Sequence, residues 1–532
     1  MNQYKITYSL FWGILLLCSG CKKFLSKEPL GPYSAQNYFN ANPKNPEYAV
    51  NAIYDAISWD NYGRANETQG YELFFGDICS DDAEIGSMPG DALINSLKEL
   101  KEWRANASHV STEAVWIINY AAIARANYVL TYIDATSSID QATKNRLKGE
   151  ALFLRGYAYF YLARIFGGVP LVDHLLSPNE YGTYLRSTLA QTFQFIESDF
   201  KNATSLLPIS QAPYGVGRAT KGAALGYWAR CIQYQLGTDN TLGHTWQEVY
   251  ALTKQIILQG NYALLPNYAA LFEEESENCI ESIFEIQYMD TGNPNEYGPN
   301  SVGSFADQLQ NPRSTFGWGY NTPSESLIQS FEEGDPRLKC TVLQDGDILY
   351  GQKFKIDTVV DPSKYINRKA ALAEAPSSIQ NGARNHRKMR YAEILLMNAE
   401  AAYYMGNTSE AIENVNLIRA RAKSSTLPKG YKLNAPNAYE TASVPATTLL
   451  PLEGLAGQDL LIAIYKERRN EFGMETLRLW DQIRTNTYIS SLTSSVQSNC
   501  NSHSIQYQNN TIPLFPIPQN ELFFNIAQNP GY

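Results

Sequence analysis

Beyond its first twenty residues the chain has no run of about 18 apolar residues, the length a membrane-crossing helix needs. It has no basic excess: 43 Lys and Arg stand against 53 Asp and Glu, a formal charge of −10. So acidic a body offers no face for phosphate backbones, which argues against nucleic acid as a partner. Histidine is scarce; His109, His174, His244, His386 and His503 include no pair four residues apart, and there is no HExxH. A metalloenzyme is therefore unsupported, and neither metal nor cofactor is expected. Cys79, Cys231, Cys279, Cys340 and Cys500 are scattered and odd in number, with no CxxC among them. Neither a disulfide framework nor a zinc site is indicated, and these residues read as small buried apolar groups. Gly215-Val216-Gly217 lacks the third glycine and the preceding strand of a dinucleotide site. Ser87, between Gly86 and Gly90, falls in the wrong place for a nucleophile elbow.

What is present begins at the N-terminus. Lys5, an apolar stretch from Leu10 to Leu17 and then Cys18-Ser19-Gly20-Cys21 describe a secretory signal over residues 1–20. Cys21 resembles the acylated cysteine of the bacterial lipoprotein box, although Cys18 stands where that box usually has leucine. The plain alternative is an ordinary signal peptide with Cys21 a simple thiol. Lipidation is the expectation, since acyl chains supply an anchor the chain otherwise lacks. Removing residues 1–20 takes away only Lys5, so the charge moves from −10 to −11.

Length would allow roughly three domains, but the pattern is more continuous. Trp116, Tyr120, Ile123, Asn127, Leu130 and Ile133 step by three and four, as one face of a helix does. Leu147, Ala151, Leu154, Ala158, Tyr161 and Ile165 repeat that step, and Gly167-Gly168 with Pro170 ends the helix. Residues 219–236 and 246–258 read as a helical pair. Residues 391–405 and 409–422, joined by Gly406-Asn407, look like a tetratricopeptide unit with small side chains where the helices cross. The ~34-residue period of such repeats is not sustained. Two stretches break the helical regime: residues 262–385, rich in Asn, Gly, Pro and Tyr with short alternating pieces such as Ile283–Tyr288, and the polar loop 425–455. Their many aromatics argue for function over disorder.

Several blocks together carry a family resemblance. They are Gly149 to Arg155 running on to Phe166-Gly167-Gly168-Val169-Pro170, Arg218-Ala219-Thr220-Lys221-Gly222 and Phe331 to Leu338 with its Asp335-Pro336-Arg337. Arg390 to Ala401, Glu467-Arg468-Arg469-Asn470-Glu471-Phe472 and the ending Asn529-Pro530-Gly531-Tyr532 complete them. From about residue 21 to the end the chain resembles the SusD/RagB family of Bacteroidetes outer-membrane lipoproteins. The resemblance implies an all-α fold of tetratricopeptide-like pairs in a superhelix, with a loop-rich ligand-binding face. It also implies capture of a glycan without chemistry and delivery to a SusC-like TonB-dependent transporter, on which the protein sits as a lid. The implied layout is a lipid-anchored tether over 21–40 and one domain over 41–532, with a helical core at 41–261 and 386–490 and the binding region at 262–385. Location on the outer membrane, facing outward, follows, although Lys22-Lys23 stand where exported relatives tend to be acidic. Read as residues alone, Arg155, Arg468 and Arg469 suit ion pairs with the nearby Glu150, Glu467 and Glu471, and Asp335-Pro336-Arg337 suits a turn into a new segment.

A sugar presents apolar ring faces, which stack on aromatic rings, and hydroxyls, which need amides, carboxylates and guanidinium groups around them. Two loops offer that mixture. One is Phe316-Gly317-Trp318-Gly319-Tyr320-Asn321 with Arg313 just before it; the other is Trp59-Asp60-Asn61-Tyr62-Gly63-Arg64. The ligand-contact candidates are Trp318, Tyr320, Asn321, Arg313, Trp59, Tyr62, Asp60, Arg64 and, more weakly, Asp81. The bland alternative for each loop is a ring plugging a gap in the superhelix; Trp103 and Trp116 read as packing. Two other functions stay open: a helical scaffold that binds protein, and an all-α glycoside hydrolase using Asp81, Asp82 and Glu84 as acid and base.

Overall fold

The computed structural model describes residues 35–59, 72–293, 302–372, 376–377, 381–507 and 510–532. The signal segment, Cys21 and most of the expected tether lie outside the described residues. The helices that carry the architecture are α1 (Asn45–Ile57), α2 (Val110–Tyr132), α3 (Gln141–Phe166), α4 (Leu189–Leu206), α5 (Lys221–Gly237), α6 (Trp246–Gln259), α7 (Tyr391–Tyr404), α8 (Thr408–Lys423) and α9 (Gly457–Phe472). Each helix from α1 to α8 packs on the next, and α9 lies against α7. Residues 260–390 separate α6 from α7 in sequence, yet these two touch directly, so the stack runs unbroken past a large irregular insertion. The fold is mainly α-helical, in tetratricopeptide-like pairs.

Local chemistry sets the helix ends. Asp140 caps α3, its Oδ1 accepting from the Thr143 N–H at 2.7 Å. Thr188 and Gln191 form a reciprocal capping box at the start of α4. α3 stops where Gly167 takes a φ of 75°, which a residue without a β-carbon adopts freely. Leu147, Ala151, Leu154, Ala158 and Ile165 all face the core. From Glu150 onward α3 is buried all round, as befits a central helix. Its crossing with α4 is made of glycine: a β-carbon on Gly149 would come within 3.0 Å of Leu206, and one on Gly156 within 2.9 Å of Phe200.

The polar residues of this core pair both between elements and along a helix, although Arg155, Arg468 and Arg469 take partners other than the glutamates nearest them in sequence. Arg155 binds Asp199 of α4 through both oxygens, at 2.8 and 2.7 Å. Glu150 belongs instead to Arg146 and Arg218, at 2.6 and 3.0 Å. Arg468 reaches Asp481 and Glu393, and Arg469 reaches Asp82. Trp103 stacks on Phe515 at 4.3 Å, and Trp116 is likewise buried. Cys79, Cys231, Cys340 and Cys500 are buried free thiols. The ending is a clasp: Asn529 donates to the Phe166 and Phe515 carbonyls at 3.1 and 2.7 Å, and Tyr532 stacks on His503 at 3.8 Å.

Short strands pair in twos, and four of them position the insertion: β1 (Ala83–Ile85), β2 (Ser282–Ile286), β3 (Asn321–Pro323) and β4 (His386–Arg390). β1 pairs antiparallel with β3, and β2 with β4. With Ile286 opposite His386 and Ser282 opposite Arg390, the second ladder fastens the start of the insertion to its end, just before α7.

Candidate functional site

Where the insertion returns over α1, α2 and α3 it closes around a cavity of about 200 Å³. Trp59, two residues past α1, lines it. The indole N–H donates to Asp55 at 3.0 Å, Arg125 lies 4.7 Å from the ring centroid, and Ala114 and Ile118 of α2 pack against the ring. Opposite in origin is Tyr288, just after β2, whose ring meets His386 of β4 at 4.5 Å and whose hydroxyl donates to the Ser58 carbonyl at 3.3 Å. β2–β4 pairing thus brings a tyrosine and an imidazole, about a hundred residues apart in sequence, beside the tryptophan.

The cavity wall is densely ionisable. Lys388 at 2.8 Å and Arg164 at 3.4 Å, working against burial, hold Glu72 down at about 2. Lys369 and Arg390 hold Glu475 below the usual carboxylate range, again against burial. Others go the opposite way. Burial pushes Asp77 up to about 7 although Asn321 and the Thr476 N–H donate to it at 3.0 and 2.8 Å. It likewise pushes Glu277 up to about 7 and Asp307 up to about 6. His386 is driven well below its ordinary value by burial and by Lys388, so its ring is neutral. Flat rings beside carboxyl groups able to donate as well as accept are what hydroxylated rings require.

The sequence candidates divide. Trp59 lines the cavity; Asp60, Tyr62 and Arg64 lie outside the described residues. The Trp318 loop does not line it, but folds back on the short helix Ala306–Gln310, its Trp318 and Tyr320 N–H groups donating to the Gln308 and Leu309 carbonyls at 2.9 and 2.8 Å. Trp318 is half-buried, with the Arg313 guanidinium 4.8 Å from its centroid and the Tyr320 ring nearly parallel at 6.3 Å. Arg313 also pairs with Asp91. Tyr320 is 2% exposed and Asn321, the first residue of β3, not at all. Neither lines the cavity, but Asn321 backs it by donating to Asp77 and Gln310, both cavity residues. Asp81 is clamped by Arg478 at 2.6 and 2.9 Å, and Asp82 by Arg469 at 2.7 Å. Glu84 pairs with Lys101 at 2.9 Å, so these three carboxylates do not form an open acid–base pair.

Tyr288, His386, Asp307 and Arg384 escaped the sequence reading. Only the alternation at Ile283–Tyr288 hinted at a strand, and nothing local identified His386 as its partner.

Two family models match this chain. One, described as starch-binding and associating with the outer membrane, matches residues 50–232; the other, the SusD family, matches 280–532. Together they span more than four-fifths of the sequence. Among curated relatives, SusD-like protein P2 of Formosa agariphila is 24% identical and covers 100% of both chains. Among solved structures, surface glycan-binding protein A from Bacteroides fluxus superposes with a TM-score of 0.72 at 24% identity, covering 92% of this chain and 99% of that one. The protein of that name from Bacteroides thetaiotaomicron, in complex with laminarihexaose, gives 0.70 at 21% identity, covering 92% and 100%. These likenesses establish the shared fold.

Proposed function

This chain belongs to the SusD/RagB family, and from that premise we propose that it is a glycan-binding protein of the outer membrane. It captures oligo- or polysaccharide without altering it and hands it to a SusC-like TonB-dependent transporter. In this reading Cys21 carries the lipid anchor and the helical body faces outward. The names of the relatives support glycan as the ligand class, and the starch-binding, membrane-associating family supports the location.

The observation that carries the reading is the cavity itself, which sets Trp59 and Tyr288 among carboxyl, amide and guanidinium groups. Sugar rings stack on such aromatics while the polar groups fix their hydroxyls. The half-buried Trp318 with Arg313 is a second, shallower platform, proposed to extend the surface along the chain of sugars. Calorimetry against a broad glycan panel tests this. Trp59→Ala should weaken the cognate glycan by ~1–3 kcal/mol, as loss of an aromatic anchor does, with unfolding temperature retained. An unchanged affinity removes Trp59 from the contact surface; failure of every glycan to bind the unmutated protein removes the reading.

A further inference from the structure

The cavity's charges do not balance, and the imbalance is local. Three of its cations are already committed: Lys388 to Glu72 at 2.8 Å, Lys369 to Glu475 at 2.7 Å, and Arg387 to Glu285 at 2.7 Å. Arg384 is left, and it spends its own N–H groups on the Lys369 and Ala371 carbonyls. Around it stand Glu273, Glu277 and Asp307, all lining the cavity and all sensing its charge. The closest ion-pair approach among them is 4.0 Å, between Arg384 and Asp307. Asp307 is 4% exposed, and its Oδ2 has no hydrogen-bond partner. A carboxylate so buried and unbonded is costly unless something bound supplies the missing donor.

Resting on the glycan reading above, we infer that the Arg384 side of the cavity selects a saccharide bearing a free, protonated amine, an amino sugar whose ammonium group is held by Asp307 with Glu277 and Glu273. A bare metal ion is the poorer fit, since among the described residues no three Asp, Glu, His or Cys side chains converge to ligate one. An ammonium group has three N–H donors on a rigid ring and needs no such convergence. Burial already raises Asp307 and Glu277 toward neutrality, so a cation arriving there restores both to their charged forms and gains strength from the low surrounding polarity. The facing charges are Arg384 and, beside Glu273, Lys429 and Arg368, which oppose the ligand, and Glu274, Glu275 and Glu285, which favour it. An acetylated amine or a hydroxyl at the same ring position carries no such charge.

The test uses the full chain and matched trios of oligosaccharides, gluco and galacto, that differ only in carrying an amine, an acetamide or a hydroxyl at one ring carbon. They are measured by calorimetry at pH 6.5 beside a broad panel of neutral glycans. The expected result is binding at least tenfold tighter for the amine member of one trio, with protons released to the buffer that its neutral partners do not release. Asp307→Asn should cut that preference to within about threefold, read as the ratio of amine to neutral affinity within each trio, so that any loss common to all its members drops out. Glu277→Gln should act in the same direction and guards against a folding defect at position 307. Equal binding of amine and neutral members overturns the inference and leaves the glycan reading standing. No binding of any saccharide overturns both.

Discussion

At the scale of single residues the molecule is governed by buried guanidinium groups, and Arg337 shows the logic most fully. It has no exposed surface, and its guanidinium nitrogens all donate, to three carboxylates between them. Nε and Nη2 reach Asp335 at 3.1 and 2.8 Å; Nη1 reaches Glu467 and Glu471. Read from sequence, Asp335-Pro336-Arg337 is a turn. It is one, since Asp335 accepts from the Arg337 N–H at 2.9 Å and opens the helix Pro336–Thr341, but the guanidinium has the larger task. Removing it leaves the buried Asp335 without a counter-charge and takes one guanidinium from Glu467 and Glu471, which keep Arg419 and the pair Arg390 and Arg421. Arg337→Met should therefore cost ~3–5 kcal/mol in urea unfolding. Arg337→Lys, a point charge without the planar fork, should recover only part of that loss. A cost below about 1 kcal/mol, within the range of an exposed pair, would mean that water reaches this cluster.

At the scale of elements, stability rests on how closely α3 and α4 approach. Gly156 is helical and would ordinarily be a weak point, since glycine disfavours helix by about 1 kcal/mol relative to alanine. Here its missing side chain is filled by the Phe200 ring, 2.9 Å from where a β-carbon would sit. Gly156→Val should thus destabilise by ~1–3 kcal/mol through overpacking, with helical circular dichroism retained at low temperature. A stabilised variant would show that α4 yields freely and that the crossing is not tight. This is also the scale at which the sequence is most legible. The helices announce themselves because their signal is local: a periodic apolar face from Leu147 to Ile165, ended by Gly167-Gly168 and Pro170. The partners of their polar residues are not legible, because Asp199 lies 44 positions from Arg155 and no local pattern links them. The same blindness misplaced Asn321, whose polar side chain beside a glycine-rich aromatic loop reads as a sugar contact but is buried and donates to Asp77, far upstream.

For the molecule as a whole, two populations of buried carboxyl groups answer pH in opposite senses, and this explains why composition alone could not locate the site. The net charge of −10 averages two unlike populations of carboxyl groups. In the first, Glu72 and Glu471 are held at about 2 by lysine and arginine neighbours that overcome burial. Their folded proton affinity is depressed below the ordinary 4.5, so the stability they contribute is complete above that value and is lost as pH falls toward 2. In the second, burial raises Asp77 and Glu277 to about 7 and Asp307 to about 6. These bind protons more tightly folded than unfolded, so the stability they contribute is complete below about pH 4 and is lost as pH rises through 6 and 7. The two limbs cross, and an unliganded protein should be most stable near pH 5, losing stability in both directions. A tenfold change in proton affinity corresponds to roughly 1.4 kcal/mol, so the fully buried Asp77 alone can account for a loss on the order of a few kcal/mol between pH 5 and 8. Urea unfolding at pH 3, 5 and 8 checks this, with Asp77→Asn as the diagnostic variant. An amide keeps the shape and cannot ionise, so it should flatten the alkaline limb while leaving the acid limb, owed to Glu72 and Glu471, where it was. Stability that climbs steadily from pH 5 to 8 would show that the cavity carboxylates are already compensated in the empty protein.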